Sequence, residues 1–212
     1  MIKLIFDFLF GLLTLISLFP AFILISLIVF INDFRNPFYI TNRVGKNFKI
    51  FKMIKFRSMI VDAEKTKVFS TKADDERITF SGKILRKFKL DEVPQLINIL
   101  RFEMSFVGPR PNVEYEVNQY NNFEKNLLRV RPGITDLASI IFSDEAEILK
   151  NSRDPNRDYS LLIRPWKSAL GNIYIQNQNL FLDLKIIFYT ILNFLNRKLV
   201  LKKISQFVLD KT

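Results

Sequence analysis

The sequence predicts a mainly α-helical, membrane-associated fold with one small β-hairpin. Three observations carry this. No residue from Phe8 to Ile31 is charged, and an apolar run of that length spans a bilayer as a helix. Leu180 to Leu195 repeats apolar residues at helical spacing. Between these segments, two short apolar runs flank Gly45-Lys46-Asn47, the pattern of a hairpin.

Composition narrows the chemistry. The chain has 212 residues, enough for one core and little more. It has no Cys, which excludes disulfides, thiolate zinc sites and Cys nucleophiles. It has no His, which removes the usual general base and the usual transition-metal ligand. Acid–base or covalent chemistry therefore falls to carboxylates, Lys, Tyr or hydroxyls, and any metal to hard oxygen ligands, Mg²⁺ before Zn²⁺. A net charge of +11 suits nucleic acid, anionic lipid or phosphorylated substrates.

In chain order, the apolar run comes first. Asn32-Asp33-Phe34 offers no small-residue cleavage site, so the run does not read as a signal peptide. Pro20, near its middle, is expected to kink or break a helix. A kinked span places Lys3 on one side of a membrane and Arg35, Arg43 and Lys46 on the other. A re-entrant hairpin broken at Pro20 keeps all of them on the cytoplasmic side, and the positive charge on both flanks favours it. A buried core helix is the third reading. Pro37 to Ile40 and Phe48 to Ile54 form the hairpin strands. Lys55 and Arg57 follow two residues apart, on one face of an extended segment, as a phosphate clamp or as ordinary basic surface. Asp62 to Glu76 reads as a short helix and a loop, and Gly82 to Arg86 as a helix with a basic rim.

The stretch Arg86 to Pro111 is the centre of the chain. Pro94 belongs in the first turn of a helix, which puts Asp91 at or near the N-cap. On a helical wheel Gln95 and Asn98 fall within about 40° of Asp91, while Val93, Leu96, Ile97 and Leu100 lie opposite. An N-cap aspartate on a solvated face is the plain reading. The adjacent Glu92 and the stiff, cationic Gly108-Pro109-Arg110-Pro111 loop add a second, phosphate chemistry. Further on, Val113 to Leu128 reads as a helix. Arg129 and Arg131 stand beside a Pro-Gly turn, and Ser143 to Arg157 is a charged segment. Leu180, Leu184, Ile187, Phe188, Ile191 and Leu195 form one apolar stripe with Asp183 and Lys185 off it. The basic residues Lys198, Lys202 and Lys203 follow. That helix reads either as interfacial or as packed on the domain.

These motifs, taken together, resemble the bacterial sugar transferase family, the monotopic phosphoglycosyl transferases that begin glycan assembly on polyprenyl phosphate. The resemblance covers nearly the whole chain. It rests on Ile5-Phe6-Asp7, Asn42-Arg43-Val44-Gly45, Lys55-Phe56-Arg57-Ser58-Met59 with Asp62-Ala63-Glu64, and Arg77-Ile78-Thr79. It continues through Leu90-Asp91-Glu92-Val93-Pro94-Gln95-Leu96-Ile97-Asn98, Met104 to Pro111, Arg131-Pro132-Gly133-Ile134-Thr135 and Leu182-Asp183-Leu184-Lys185. Ile163 to Asn177 resembles a branch with Pro-x-Lys in place of Asp-Tyr-Tyr.

The resemblance implies a membrane segment over 1–34, a compact cytoplasmic catalytic domain over 35–179, and an interfacial helix with a basic tail over 180–212. It implies transfer of a sugar-1-phosphate from a nucleotide diphosphate sugar, usually a UDP-sugar, to polyprenyl (undecaprenyl) phosphate at the bacterial inner membrane. Asp91 is the implied nucleophile, and Glu92 the implied ligand of Mg²⁺. Lys55, Arg57, Arg86, Arg110 and Arg131 are the implied phosphate-binding cations, and a homodimer is a candidate assembly. The chain departs from the family at Phe19 for Ser before the hairpin proline and at Phe102-Glu103 for Gly-Asp. It departs again at Lys89 for a small or hydroxyl residue and at Asp136 for Gly. If position 136 needs a positive φ, Asp strains it, and its charge weakens anion binding. Two rivals come from other classes. One is a non-catalytic, membrane-bound basic scaffold for anionic lipid or glycan-assembly partners. The other is a nucleic-acid binder, which fits the charge but not the uncharged N-terminal run.

Overall fold

The computed structural model describes residues 1–66, 71 and 74–211. Helix α1 (Ile2–Ile31) continues through Pro20, so the expected break is not a break in the helix. A proline removes its own N–H bond and crowds the preceding turn. Here the Leu-, Ile- and Phe-rich flanks hold helical geometry on both sides. The hydroxyls of Thr14 and Ser26 bond back to the Phe10 and Phe22 carbonyls.

α1 is fastened to the rest of the chain near both ends. At its start, Lys3 Nζ lies 2.5 Å from Asp183 Oδ2. Asp7, 1% exposed, accepts from Ser105 Oγ at 2.9 Å, the Phe106 N–H at 3.3 Å and Arg131 Nη2 at 2.7 Å. A buried carboxylate is tolerated when its oxygens are satisfied this way. At the other end, Asn32 donates to Ser81 Oγ at 2.5 Å, and Asp33 holds the Arg57 guanidinium. Between these anchors Gly11 lies against Ile99, Leu100 and Phe106, and Phe22, Ile25 and Val29 pack with Phe38, Phe56 and Leu85. The outward side of α1 is a continuous apolar surface that includes Leu13, Ile16, Phe19, Ile23 and Leu27.

The hairpin forms as expected. β1 (Phe38–Val44) pairs antiparallel with β2 (Ile50–Phe56), with Arg43 opposite Phe51 and Tyr39 opposite Lys55. Phe51 and Met53 turn inward onto Leu96, Ile99 and Met104. The expectation for 62–76 falls partly on residues outside the described ones; within it Ala63–Thr66 is a 3₁₀ turn. Thr79 caps α2 (Phe80–Lys87) by accepting from the Gly82 N–H at 3.0 Å. A 3₁₀ turn, Leu90–Glu92, leads into α3 (Gln95–Leu100).

The next element has no forerunner in the sequence pattern. β3 (Ser105–Val107) pairs in parallel with β4 (Gly133–Thr135), Ser105 opposite Gly133 and Val107 opposite Thr135. Gly108, at the exit of β3, and Gly133, at the entry of β4, touch backbone to backbone. A Cβ on Gly133 would lie 2.1 Å from the Gly108 nitrogen. Gly133→Ala is expected to force the pair apart and cost about 1–3 kcal/mol, read as a lower Tm. Between the two strands, the single expected helix over 113–128 is divided. α4 (Glu114–Val117) ends, and Asn121 then opens α5 (Asn122–Lys125) with a capping box to Glu124.

After β4 come α6 (Leu137–Ile141), α7 (Glu145–Ile148) and α8 (Pro155–Asp158). A π-helical turn at Tyr159–Ile163 leads into α9 (Arg164–Asn177). α10 (Leu180–Asn193) and α11 (Arg197–Leu209) close the chain. Leu182, Ile186, Val200 and Ile204 share one core with Val107, Leu137, Ile140, Leu170 and Tyr174. Of the two readings of α10, the exposed stripe fits the interfacial one, while Leu182 and Ile186 pack the helix on the domain from its other side. Asp183 is buried, bonded to Lys3 and to the Tyr174 hydroxyl at 2.7 Å. The apolar stripe Leu184, Phe188, Ile191 and Leu195 is exposed.

Candidate active site

The site is set by the chain's entry into α3. Lys89 has φ 57°, a left-handed conformation that swings the chain into the Leu90–Glu92 turn. Asp91 and Glu92 are thereby buried, at 6% and 7% exposure. A side-chain cap needs an extended residue just outside the helix. Asp91 already lies within a helical turn and accepts no backbone N–H, which corrects its expected N-cap role. The polar side of α3 is corrected too. Gln95 and Asn98 are buried rather than solvated. Asn98 accepts from the Ile54 N–H at 3.1 Å and donates to the Lys52 carbonyl at 2.8 Å, which fixes α3 against β2. Lys89→Gly is expected to relieve the left-handed strain and stabilise the fold by roughly 1 kcal/mol, measured by thermal melting.

Glu92 is clamped by two cations. Lys55 Nζ lies 2.8 Å from Oε1, and Arg110 reaches both oxygens, Nη2 to Oε1 at 2.5 Å and Nη1 to Oε2 at 3.4 Å. Burial pushes the Glu92 carboxyl up, but Arg110 and Lys55 outweigh it and hold it well below its ordinary value. Burial likewise lowers the Lys55 ammonium, against the pull of Glu92. Arg110 comes from the end of the small parallel sheet. The Gly108 N–H bonds to the Thr135 carbonyl at 3.1 Å and the Gly133 N–H to the Pro109 carbonyl at 3.0 Å. Those bonds and two prolines leave the loop little freedom.

Asp91 is treated differently. Its Oδ1 is buried and has no hydrogen-bond partner among the described residues. Three cations act on it through space: Arg86, whose Nε donates to Ser58 Oγ at 2.8 Å, together with Lys55 and Arg110. A buried, orphaned carboxylate oxygen costs about 1–3 kcal/mol or more. Such a cost persists where a function needs the group unencumbered.

Of the cations expected at phosphate, the structure brings Lys55, Arg86 and Arg110 to this pair. It does not bring Arg57, which pairs with Asp33 and donates to the Asn36 carbonyl at 2.9 Å. Nor does it bring Arg131, which bonds Asp7 and the Met104 carbonyl. Both hold α1 in place. Arg43 was not picked out as a site residue, yet β1 sets it among Tyr39, Arg110 and Glu116, and burial lowers its pKa. Its signal was the Asn42-Arg43-Val44-Gly45 motif. Asp136 has φ −158°, ordinary extended backbone, so the feared strain is absent. It caps α6, accepting from the Ser139 N–H at 2.6 Å. Phe102 does carry the strain of a replaced glycine, at φ 59°, and its ring stacks on Phe8.

For a metal, the described residues contain no group of three or more carboxylates that could cage one. Mg²⁺ commonly keeps several waters and takes one or two carboxylates plus substrate phosphate oxygens. The Asp91-Glu92 pair fits that donor set, and Glu92 Oε2 is held only at 3.4 Å.

Fold and site together define a class: a domain strapped along a long apolar helix, with a buried carboxylate pair ringed by cations and suited to phosphate-bearing ligands. The chain belongs to the bacterial sugar transferase family, whose profile matches residues 1–197. It is 37% identical to the exopolysaccharide production protein ExoY of Sinorhizobium fredii, over 88% of this chain and 82% of that one. It is 38% identical to the UDP-glucose:undecaprenyl-phosphate glucose-1-phosphate transferase of Klebsiella pneumoniae, over 73% of this chain but 32% of that longer protein. An N-acetylgalactosaminephosphotransferase acting with undecaprenyl phosphate, from Aeromonas hydrophila, is 33% identical over 72% of this chain and 34% of its own.

Proposed function

We propose that this protein transfers a sugar-1-phosphate from a UDP-sugar to undecaprenyl phosphate and releases UMP, through a covalent intermediate on Asp91. The observation that carries the reading is the unpartnered, buried Asp91 oxygen beside a carboxylate clamped by Arg110 and Lys55. The names of the Klebsiella and Aeromonas relatives supply the acceptor and the donor class.

In the first step Asp91 Oδ1 attacks the phosphorus that bears the sugar, and the bond from that phosphorus to UMP breaks, its electron pair leaving with UMP. In the second, an oxygen of undecaprenyl phosphate attacks the same phosphorus and frees the Asp91 carboxylate. One phosphate site thus serves twice. Arg110 presents paired N–H donors to the phosphate, Lys55 and Arg86 offset its charge, and Arg43 lies beside Arg110 for the second phosphate of the donor. Glu92 keeps Arg110 and Lys55 in place and would hold Mg²⁺ with the diphosphate. That ion, when bound, screens the phosphate charge against an anionic nucleophile.

The membrane part of the proposal rests on α1. By length and composition it is the one helix among the described residues able to cross a bilayer. Its two ends bond the same domain, through Asp7 and Asn32, which favours a segment that enters and leaves on one face, the cytoplasmic face of the inner membrane. The exposed stripe of α10 supports an interfacial position for that helix. A scaffold without catalysis leaves the cost of burying Asp91 unexplained. UMP release from a panel of UDP-sugars, with undecaprenyl phosphate in bilayer discs and Mg²⁺, tests the reading. Lipid-dependent release is expected; silence across the panel returns the scaffold.

A further inference from the structure

The Arg110 loop has a second side. There an open cleft lies between the loop, the start of α6 and the start of α9. Its lining includes Pro109, Arg110, Asp136, Ser139, Tyr159 and Lys167. Arg110 is common to the cleft and to the Glu92 clamp, so a phosphate held on Arg110 has the cleft next to its substituents.

The chemistry of the lining is selective. Asp136 is only 5% exposed. Its Oδ1 is used by the Ser139 N–H, but its other oxygen takes no hydrogen bond among the described residues. Burial raises its pKa. It is an acceptor waiting for a donor. Lys167 is neutralised by Glu145 and lies 5.1 Å over the Tyr159 ring, covering the face on which a base would stack. The lining therefore suits a ring bearing hydroxyl or amide N–H groups better than a flat nucleobase. A sugar carboxylate would meet Asp136 as a like charge.

We propose that this cleft receives the sugar ring of the donor, and that Asp136 selects a neutral hexose or acetamidohexose over a uronic acid. The assignment rests on the transferase reading above.

The test compares wild type with Asp136→Asn in full-length protein in bilayer discs. Asn is as good a helix cap as Asp, so α6 is kept. Two quantities are measured: KM for the best neutral UDP-sugar, and the inhibition constant of UDP, which has no sugar. Loss of a charge-assisted bond is expected to raise KM by about tenfold or more while UDP inhibition stays within about twofold. Wild type is expected to discriminate against UDP-glucuronate, and the variant to discriminate less. If Asp136→Asn fails to fold, Asp136→Ser, which also caps a helix, is read in the same way. Turnover by wild type with KM unchanged in the variant overturns the cleft assignment alone. Equal shifts for UDP and UDP-sugar do the same. No turnover and no UDP-sugar binding by wild type overturns the transferase reading and the cleft with it.

Discussion

Asp91→Asn is expected to abolish transfer while leaving the fold intact. The substitution keeps shape and removes the attacking charge, so UMP release should fall on the order of a thousandfold or more. The sharper readout is trapping. Without acceptor lipid, wild type incubated with a UDP-sugar labelled on its β-phosphate should hold the label on protein, and the variant should hold none. Its Tm should not fall, because a buried carboxylate oxygen without a partner is itself destabilising. Label retained by the variant would move the nucleophile to another residue, and a large fall in Tm would mean that Asp91 is structural.

Glu92→Gln is expected to damage both stability and activity, and its effect depends on pH. The change leaves Arg110 and Lys55 facing each other without their shared anion. Breaking a buried pair typically costs about 3–5 kcal/mol, and the lower end applies here because the Arg110 side chain keeps 39% exposure. Glu92 titrates well below its ordinary value in the folded protein, under the combined hold of Arg110 and Lys55 against burial. A depressed carboxylate contributes its full stability above the unfolded pKa, about 4.3, and loses it as pH falls through the folded value. The Tm difference between wild type and Glu92→Gln should therefore be complete at neutral pH and shrink in acid. A difference independent of pH would mean that Glu92 acts by packing alone.

Sequence and structure agree where the signal is local. The length of α1 was legible in the uncharged run, and the hairpin in Gly45 between two apolar stretches. The grouping of Asp91, Glu92, Lys55, Arg86 and Arg110 was legible once the family motifs were recognised. What stayed hidden is non-local. β3 and β4 have three residues each, too few to show a period, and their pairing joins segments far apart in the chain. A cation in sequence does not announce its anion. Arg57 and Arg131 looked like phosphate ligands and instead hold Asp33 and Asp7. Asp183 marked a polar side of α10 on the wheel, but its salt bridge to Lys3 lets that side face the core. Position 136 was read by comparison with glycine, when its backbone is one that any residue adopts.

The fastening of α1 has a practical consequence for how the molecule is handled. Lys3 and Asp7 neutralise or satisfy Asp183 and Arg131, which belong to the globular part, and Phe22, Ile25 and Val29 complete one of its cores. A truncation that removes α1 for solubility would leave Asp183 without its salt bridge and Arg131 without its anion, and would expose apolar surface around Phe56 and Leu85. The apolar helix is thus a wall of the domain. An amphiphile that covers its outer side would therefore couple to folding of the whole domain, so detergent choice is expected to move the melting temperature.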